Sequence, residues 1–88
     1  MRSKRTSRFN ELLRNLPGDV RKQAYTAYRL FRRDPYHPSL HFKKVSPTVY
    51  SARVGISYRV LGRREEDDLI VWFWIGTHAE YDKHLSRR

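Results

Sequence analysis

The chain has 88 residues, with 19 Lys and Arg against 9 Asp and Glu for a formal net charge of +10, 39% hydrophobic and 14% aromatic residues, and no cysteine. A chain this short builds one core and no second domain, its aromatic content excludes a disordered tail, and four glycines and four prolines exclude a collagen-like composition. The lack of cysteine removes disulfides, thiolate nucleophiles and thiolate metal sites, so stability must come from packing or from a partner.

Residues 1–7 are a basic head with no apolar core behind it; no secretory signal is visible, the segment is expected to be mobile, and the location expected is cytoplasmic. Phe9, Leu12, Leu13 and Leu16 recur at the spacing of one helical face behind Ser7, a cap for the first free amides. Pro17-Gly18 ends this helix, and Asp19 caps a second whose inward stripe is Val20, Ala24, Ala27 and Phe31, with Leu30 beside it. Asp34-Pro35 stops the second helix, and a loop leads to a short segment at 40–45, where Leu40 and Phe42 alternate with polar neighbours.

From residue 48 the period becomes two, with Tyr50, Ala52 and Val54 on one face and Val49, Ser51 and Arg53 on the other. Gly55 opens a tight connection to a strand at 58–61, and the acidic run at 65–68 makes the next turn. Residues 69–75 are apolar on both faces, too short to span a bilayer and suited to a central strand. Thr77 and Glu80 have the spacing of a capping box, with Tyr81 and Leu85 one turn apart behind it, so a short helix ends the chain. The expected class is α+β: two N-terminal helices packed on a four-stranded, mainly antiparallel sheet, with a short C-terminal helix.

Ten of the Lys and Arg residues fall within the first 33 positions, against Glu11 and Asp19. An isolated charge run reads as a solvated helix face, but a basic excess across the whole domain favours contact with a polyanion. Arg53 and Arg59 lie on adjacent strands. A three-residue loop places them opposite each other, where two guanidinium forks can grip one phosphate; a two-residue turn places Arg53 opposite Tyr58 and splits them. Taken singly, each is as readily an ordinary solvent-face arginine.

His78 follows the last strand, where an imidazole can exchange protons near neutrality, and is by itself as readily a surface residue. Tyr81 can stack on a base or pack on the sheet. His37 and His41 flank Pro38, which denies the helix that would bring both to one metal, and no carboxylate cluster completes a set, so neither a metal nor a cofactor is expected.

From Phe9 to Leu85 the chain resembles the RelE/ParE superfamily, toxins of bacterial type II toxin–antitoxin systems. The resemblance is carried by Leu40-His41-Phe42-Lys43-Lys44-Val45, Tyr50-Ser51-Ala52-Arg53-Val54, Tyr58-Arg59-Val60-Leu61 and Trp74-Ile75-Gly76-Thr77-His78-Ala79-Glu80-Tyr81-Asp82, in that order behind two helices. It implies a single toxin domain over 1–88 with the microbial-ribonuclease-like fold. Its RelE- and HigB-like branch, the nearer one, implies a metal-independent endoribonuclease that cuts messenger RNA on the ribosome. Arg59 matches the arginine this branch uses on the scissile phosphate, Arg53 a second basic position, His78 a histidine or arginine after the last strand, and Tyr81 a C-terminal aromatic. Lys43 or Lys44 would hold the RNA backbone. The glutamate base of some relatives has no counterpart around 38–43. The resemblance further implies an acidic, partly disordered antitoxin as partner, and no membrane. The alternatives are a ParE-like inhibitor of DNA gyrase and a non-catalytic module that binds nucleic acid.

Overall fold

Two amphipathic patterns near the N-terminus fold as helices because each presents one continuous apolar stripe to a sheet. A computed structural model describes residues 1–86, with β1 at Arg2–Arg5, α1 at Ser7–Arg14, α2 at Gly18–Arg33, a 3-10 turn at Pro38–Leu40, β2 at Lys43–Lys44, β3 at Val49–Val54, β4 at Tyr58–Glu66, β5 at Leu69–Thr77 and α3 at His78–Ser86. Phe9 and Leu13 of α1 and Phe31 of α2 are buried against Ala52, Val54, Val60 and Trp72, with Ala24 and Ala27 packed beside them. No helix is long and apolar enough to cross a membrane among the described residues.

The caps differ from those the sequence suggests. Thr6, one residue before Ser7, accepts from the Phe9 amide at 3.0 Å and caps α1. The N-cap of α2 is Pro17, with no side-chain bond, and Asp19 instead lies in the first turn, where its charge complements the helix dipole.

The sheet has five strands in the order β1-β5-β4-β3-β2, one more than expected. The extra strand is the basic N-terminal segment: rather than a mobile lead-in, Arg2–Arg5 pairs parallel with β5, from Arg2 opposite Leu69 to Arg5 opposite Trp72. The Arg2 amide donates to the Asp68 carbonyl at 2.8 Å and the Thr6 amide to the Trp72 carbonyl at 3.0 Å. The segment at 40–45 forms a 3-10 turn and a strand of only two residues.

The doubly apolar β5 is resolved by a bulge. Leu61 faces Trp74 and Gly62 faces Trp72, so Phe73 is the extra residue and the alternation inverts across it. Ile70, Trp72 and Ile75 thereby all reach the core under α1 and α2, while Phe73 and Trp74 turn to the opposite face. Gly62 is required at this crossing, because a Cβ there would stand 2.6 Å from Trp72 Cε3 and 2.8 Å from Ile70 Cγ1. On the opposite face α3 packs through Tyr81 over Val49 and Leu61, with Leu85 at the margin.

Candidate functional site

The β3–β4 connection spans Gly55-Ile56-Ser57, and Gly55 takes a left-handed φ of 62° that a side chain rarely adopts. This is the three-residue option, and its register puts Arg53 opposite Arg59, Ala52 opposite Val60 and Val54 opposite Tyr58. Directly opposed residues of antiparallel strands share a face. The two arginines therefore stand together on the face that α3 partly covers, the side of Ser51 and Leu61.

Their neighbourhood is unusual electrostatically. Burial first, and then the Arg53 charge, lower the Arg59 pKa, with Tyr81 and Asp82 acting in the opposite sense. Arg59 remains a cation at neutral pH, as guanidinium groups do in proteins. Its Nη1 donates to the Tyr58 carbonyl at 3.0 Å, which leaves most of its fork uncommitted. Arg53 Nε is buried without a hydrogen-bond partner. Neither arginine takes part in an ion pair among the described residues.

The start of α3 brings the imidazole to the same end of the sheet. The His78 amide donates to the Ser57 carbonyl at 2.8 Å, tying the helix start to the loop between the arginine strands. The capping box forms as its spacing suggests: the Thr77 amide donates to Glu80 Oε1 at 2.8 Å and the Glu80 amide donates to Thr77 Oγ1 at 3.1 Å. With the first turn fixed in this way, His78 is exposed and its Nδ1 lies 3.4 Å from Asp82 Oδ2, one helical turn on.

The remaining candidates divide. Lys43 is exposed and opposite Ser51, so it rises on the arginine face diagonal to Arg53, about 7–8 Å away. Lys44 is opposite Tyr50 and rises on the other face. Tyr81 is 6% exposed, and its hydroxyl donates to the buried Ser51 Oγ at 3.2 Å. Its ring packs on the sheet rather than standing free to stack on a base. Asp82 was not singled out in the sequence, although its signal was present: a carboxylate four residues after a histidine on a helix shares that histidine's face. No group of three or more His, Asp or Glu side chains placed to hold a metal occurs among the described residues.

Comparison with known proteins agrees with this architecture. The model of a ParE-like toxin domain matches residues 18–83. No curated protein matches the chain. Among solved structures, the RelB–RelE antitoxin–toxin complex from Methanococcus jannaschii is 19% identical with a TM-score of 0.70, over 92% of this chain and 96% of that one. YafQ from E. coli strain BL21(DE3) is 12% identical with a TM-score of 0.70, over 92% and 98% of the two chains. The isolated E. coli RelE toxin is 16% identical with a TM-score of 0.64, over 98% and 96%. These likenesses are ones of fold, and the family match runs from the first turn of α2 into α3: the chain belongs to the ParE-like toxin domain family.

Proposed function

We propose that this toxin is a metal-independent endoribonuclease that cuts messenger RNA on the ribosome, in the cytoplasm. The observation that carries the reading is the cross-strand opposition of Arg53 and Arg59 beside an exposed His78 paired with Asp82. Two guanidinium groups on adjacent strands, neither held in an ion pair among the described residues, match a phosphodiester, whose non-bridging oxygens gain charge as a fifth oxygen approaches phosphorus. Asp82, 3.4 Å from His78 Nδ1, favours the tautomer protonated there, which would keep Nε2 as a proton acceptor. It takes the proton of the ribose 2′-hydroxyl, whose oxygen attacks the adjacent phosphorus; the P–O5′ bond breaks, solvent protonates the 5′-oxygen, and a 2′,3′-cyclic phosphate is left. Lys43 holds the neighbouring backbone phosphate. Tyr81 supports the pocket from below by fixing α3 to Ser51.

An acidic antitoxin is the partner this reading requires, since it neutralises a net charge of +10 and covers the arginine face. Ribosomes programmed with messenger RNA test the reading directly, with a gyrase supercoiling assay beside them. Cleavage by the wild type is expected, with the rate lowered about 10²- to 10³-fold by Arg59→Ala. Lost supercoiling without cleavage would assign the chain to gyrase inhibition, and RNA binding without cleavage would leave a non-catalytic module.

A further inference from the structure

Beyond Ser51 the outer edge of β3 is bare. β2 pairs only with Tyr50 and Ser51, and the chain just before it is spent on the 3-10 turn that ends at His41, in the left-handed region with φ 46°. The gap between this edge, α2 and the turn is a groove of about 470 Å³, within the range of about 300–1,000 Å³ typical of small-molecule sites. Its lining is mainly apolar, through Ala27, Leu30, Leu40 and Ile56, while Gln23, Thr26 and Ser39 carry a carboxamide and two hydroxyls. Arg53 lines it too, so the groove meets the arginine pair there. Gln23 Cδ stands 3.1 Å from the point a Cβ on Gly55 would occupy, which sets the carboxamide against the loop at 55–57. Ile56, at the centre of that loop, is 88% exposed. Turn centres favour Gly, Asn, Asp and Ser, and a lone apolar side chain on a surface needs no explanation. Here it extends an apolar wall at its rim, on a loop that Ser57 ties to His78.

We propose that this groove receives the unstacked base of a nucleotide adjoining the cut, with Ile56 packing on the ring and Gln23 hydrogen bonding to its edge. The inference rests on the nuclease reading and adds a base-selecting site to it. A nucleobase suits such a lining because its faces are apolar and its rim carries donors and acceptors. Sequence-specific contacts to RNA are made in this way, to bases splayed out of a single strand. The sugar-phosphate that carries the base then falls at Arg53, the residue shared by the groove and the phosphate pocket. Base selection is thereby built into the same loop that sets the register of the two arginines.

A trinucleotide with 2′-deoxyribose at the cut position cannot be cleaved, so its binding to the full chain reads the groove separately from the chemistry. Titration followed by methyl NMR should move the Ile56, Leu30 and Leu40 resonances, and the same trinucleotide with an abasic residue in place of the adjoining base should leave them where they are. Cleavage positions on programmed ribosomes give the second readout. Gln23→Ala should relax the base preference beside the cut by about 5-fold or more. Ile56→Ser should raise KM rather than lower kcat, at an unchanged melting temperature because the side chain is exposed. Methyl resonances that respond no differently to the base and to the abasic residue, or cut positions with the same bases in the wild type and Gln23→Ala, would each overturn the groove assignment while leaving cleavage standing. Base-dependent methyl shifts in a chain that cuts no messenger RNA would support the groove as a base-binding site and remove the nuclease reading.

Discussion

On the proposed reading, Arg53 and Arg59 serve a site at the expense of the fold that carries it. Like charges directly opposite on paired strands destabilise a sheet by a few tenths to about 1 kcal/mol, and a buried N–H without an acceptor costs about 1–3 kcal/mol. Arg53 carries both penalties. Arg53→Met keeps an unbranched stem in the same space and removes the charge and the orphaned Nε. It is expected to stabilise the protein by about 1 kcal/mol, raising the melting temperature by roughly 4–8 °C for a chain of this size, while messenger RNA cleavage falls. A variant that melts lower than wild type would mean that the guanidinium has an acceptor in solution and that the pocket is less strained than its geometry indicates. The arginine pair was legible in the sequence because period-two alternation gave each residue its face and only the loop length was open. Tyr81 was ambiguous, since a lone aromatic one turn into a helix has the same pattern whether it packs or stacks; burial beside Ser51 decides the matter.

At the scale of one element, α3 depends on its first turn. Thr77 and Glu80 satisfy each other's free amides, and the Thr77 hydroxyl also donates to Glu80 Oε1 at 3.0 Å. These hydrogen bonds, first from the Thr77 backbone and then from its side chain, lower the Glu80 pKa. A carboxylate whose folded pKa is depressed contributes stability that is fully present above the ordinary glutamate value of about 4.3 and is lost as pH falls through the lower folded value. Thr77→Ala is expected to cost about 1 kcal/mol at pH 7. Glu80→Gln, which cannot ionise, should narrow the stability difference between pH 7 and pH 3, measured by thermal unfolding at both. A pH dependence identical to wild type would assign acid sensitivity to other carboxylates. This box and both helical stripes were readable because each is a local pattern. The cap of α1 was misplaced by one residue because Thr6 and Ser7 are adjacent hydroxyls of similar capping strength, and only backbone geometry chooses between them. The bulge at Phe73 was hidden for the opposite reason: a run that is apolar at every position carries no alternation to break.

For the molecule as a whole, the least legible feature closes the sheet. Arg2-Ser3-Lys4-Arg5 has no apolar alternation and low strand propensity, so nothing local marks it as a strand; it forms because β5 presents an unpaired edge beside it. Its charges then suit an outermost strand, because lysine and arginine on an edge discourage pairing with another chain. The two halves of the segment are fastened differently. The Arg2 guanidinium pairs with Glu66 at 3.0 Å and Asp68 at 3.5 Å, exposed contacts worth little, whereas the Ser3 hydroxyl donates to the Tyr28 hydroxyl at 3.2 Å and joins the edge to α2. Removal of residues 1–5 leaves β5, nine residues long and strongly apolar, as the new edge, and removes three positive charges that keep molecules apart. The shortened chain is expected to form oligomers or precipitate at concentrations where the full chain is monodisperse by size-exclusion chromatography, and to melt at a lower temperature. Replacing Arg2, Lys4 and Arg5 with glutamine while keeping the strand separates the two causes. If covering the β5 edge is what matters, that variant stays monodisperse; if it aggregates as the deletion does, net charge and not strand pairing protects the sheet.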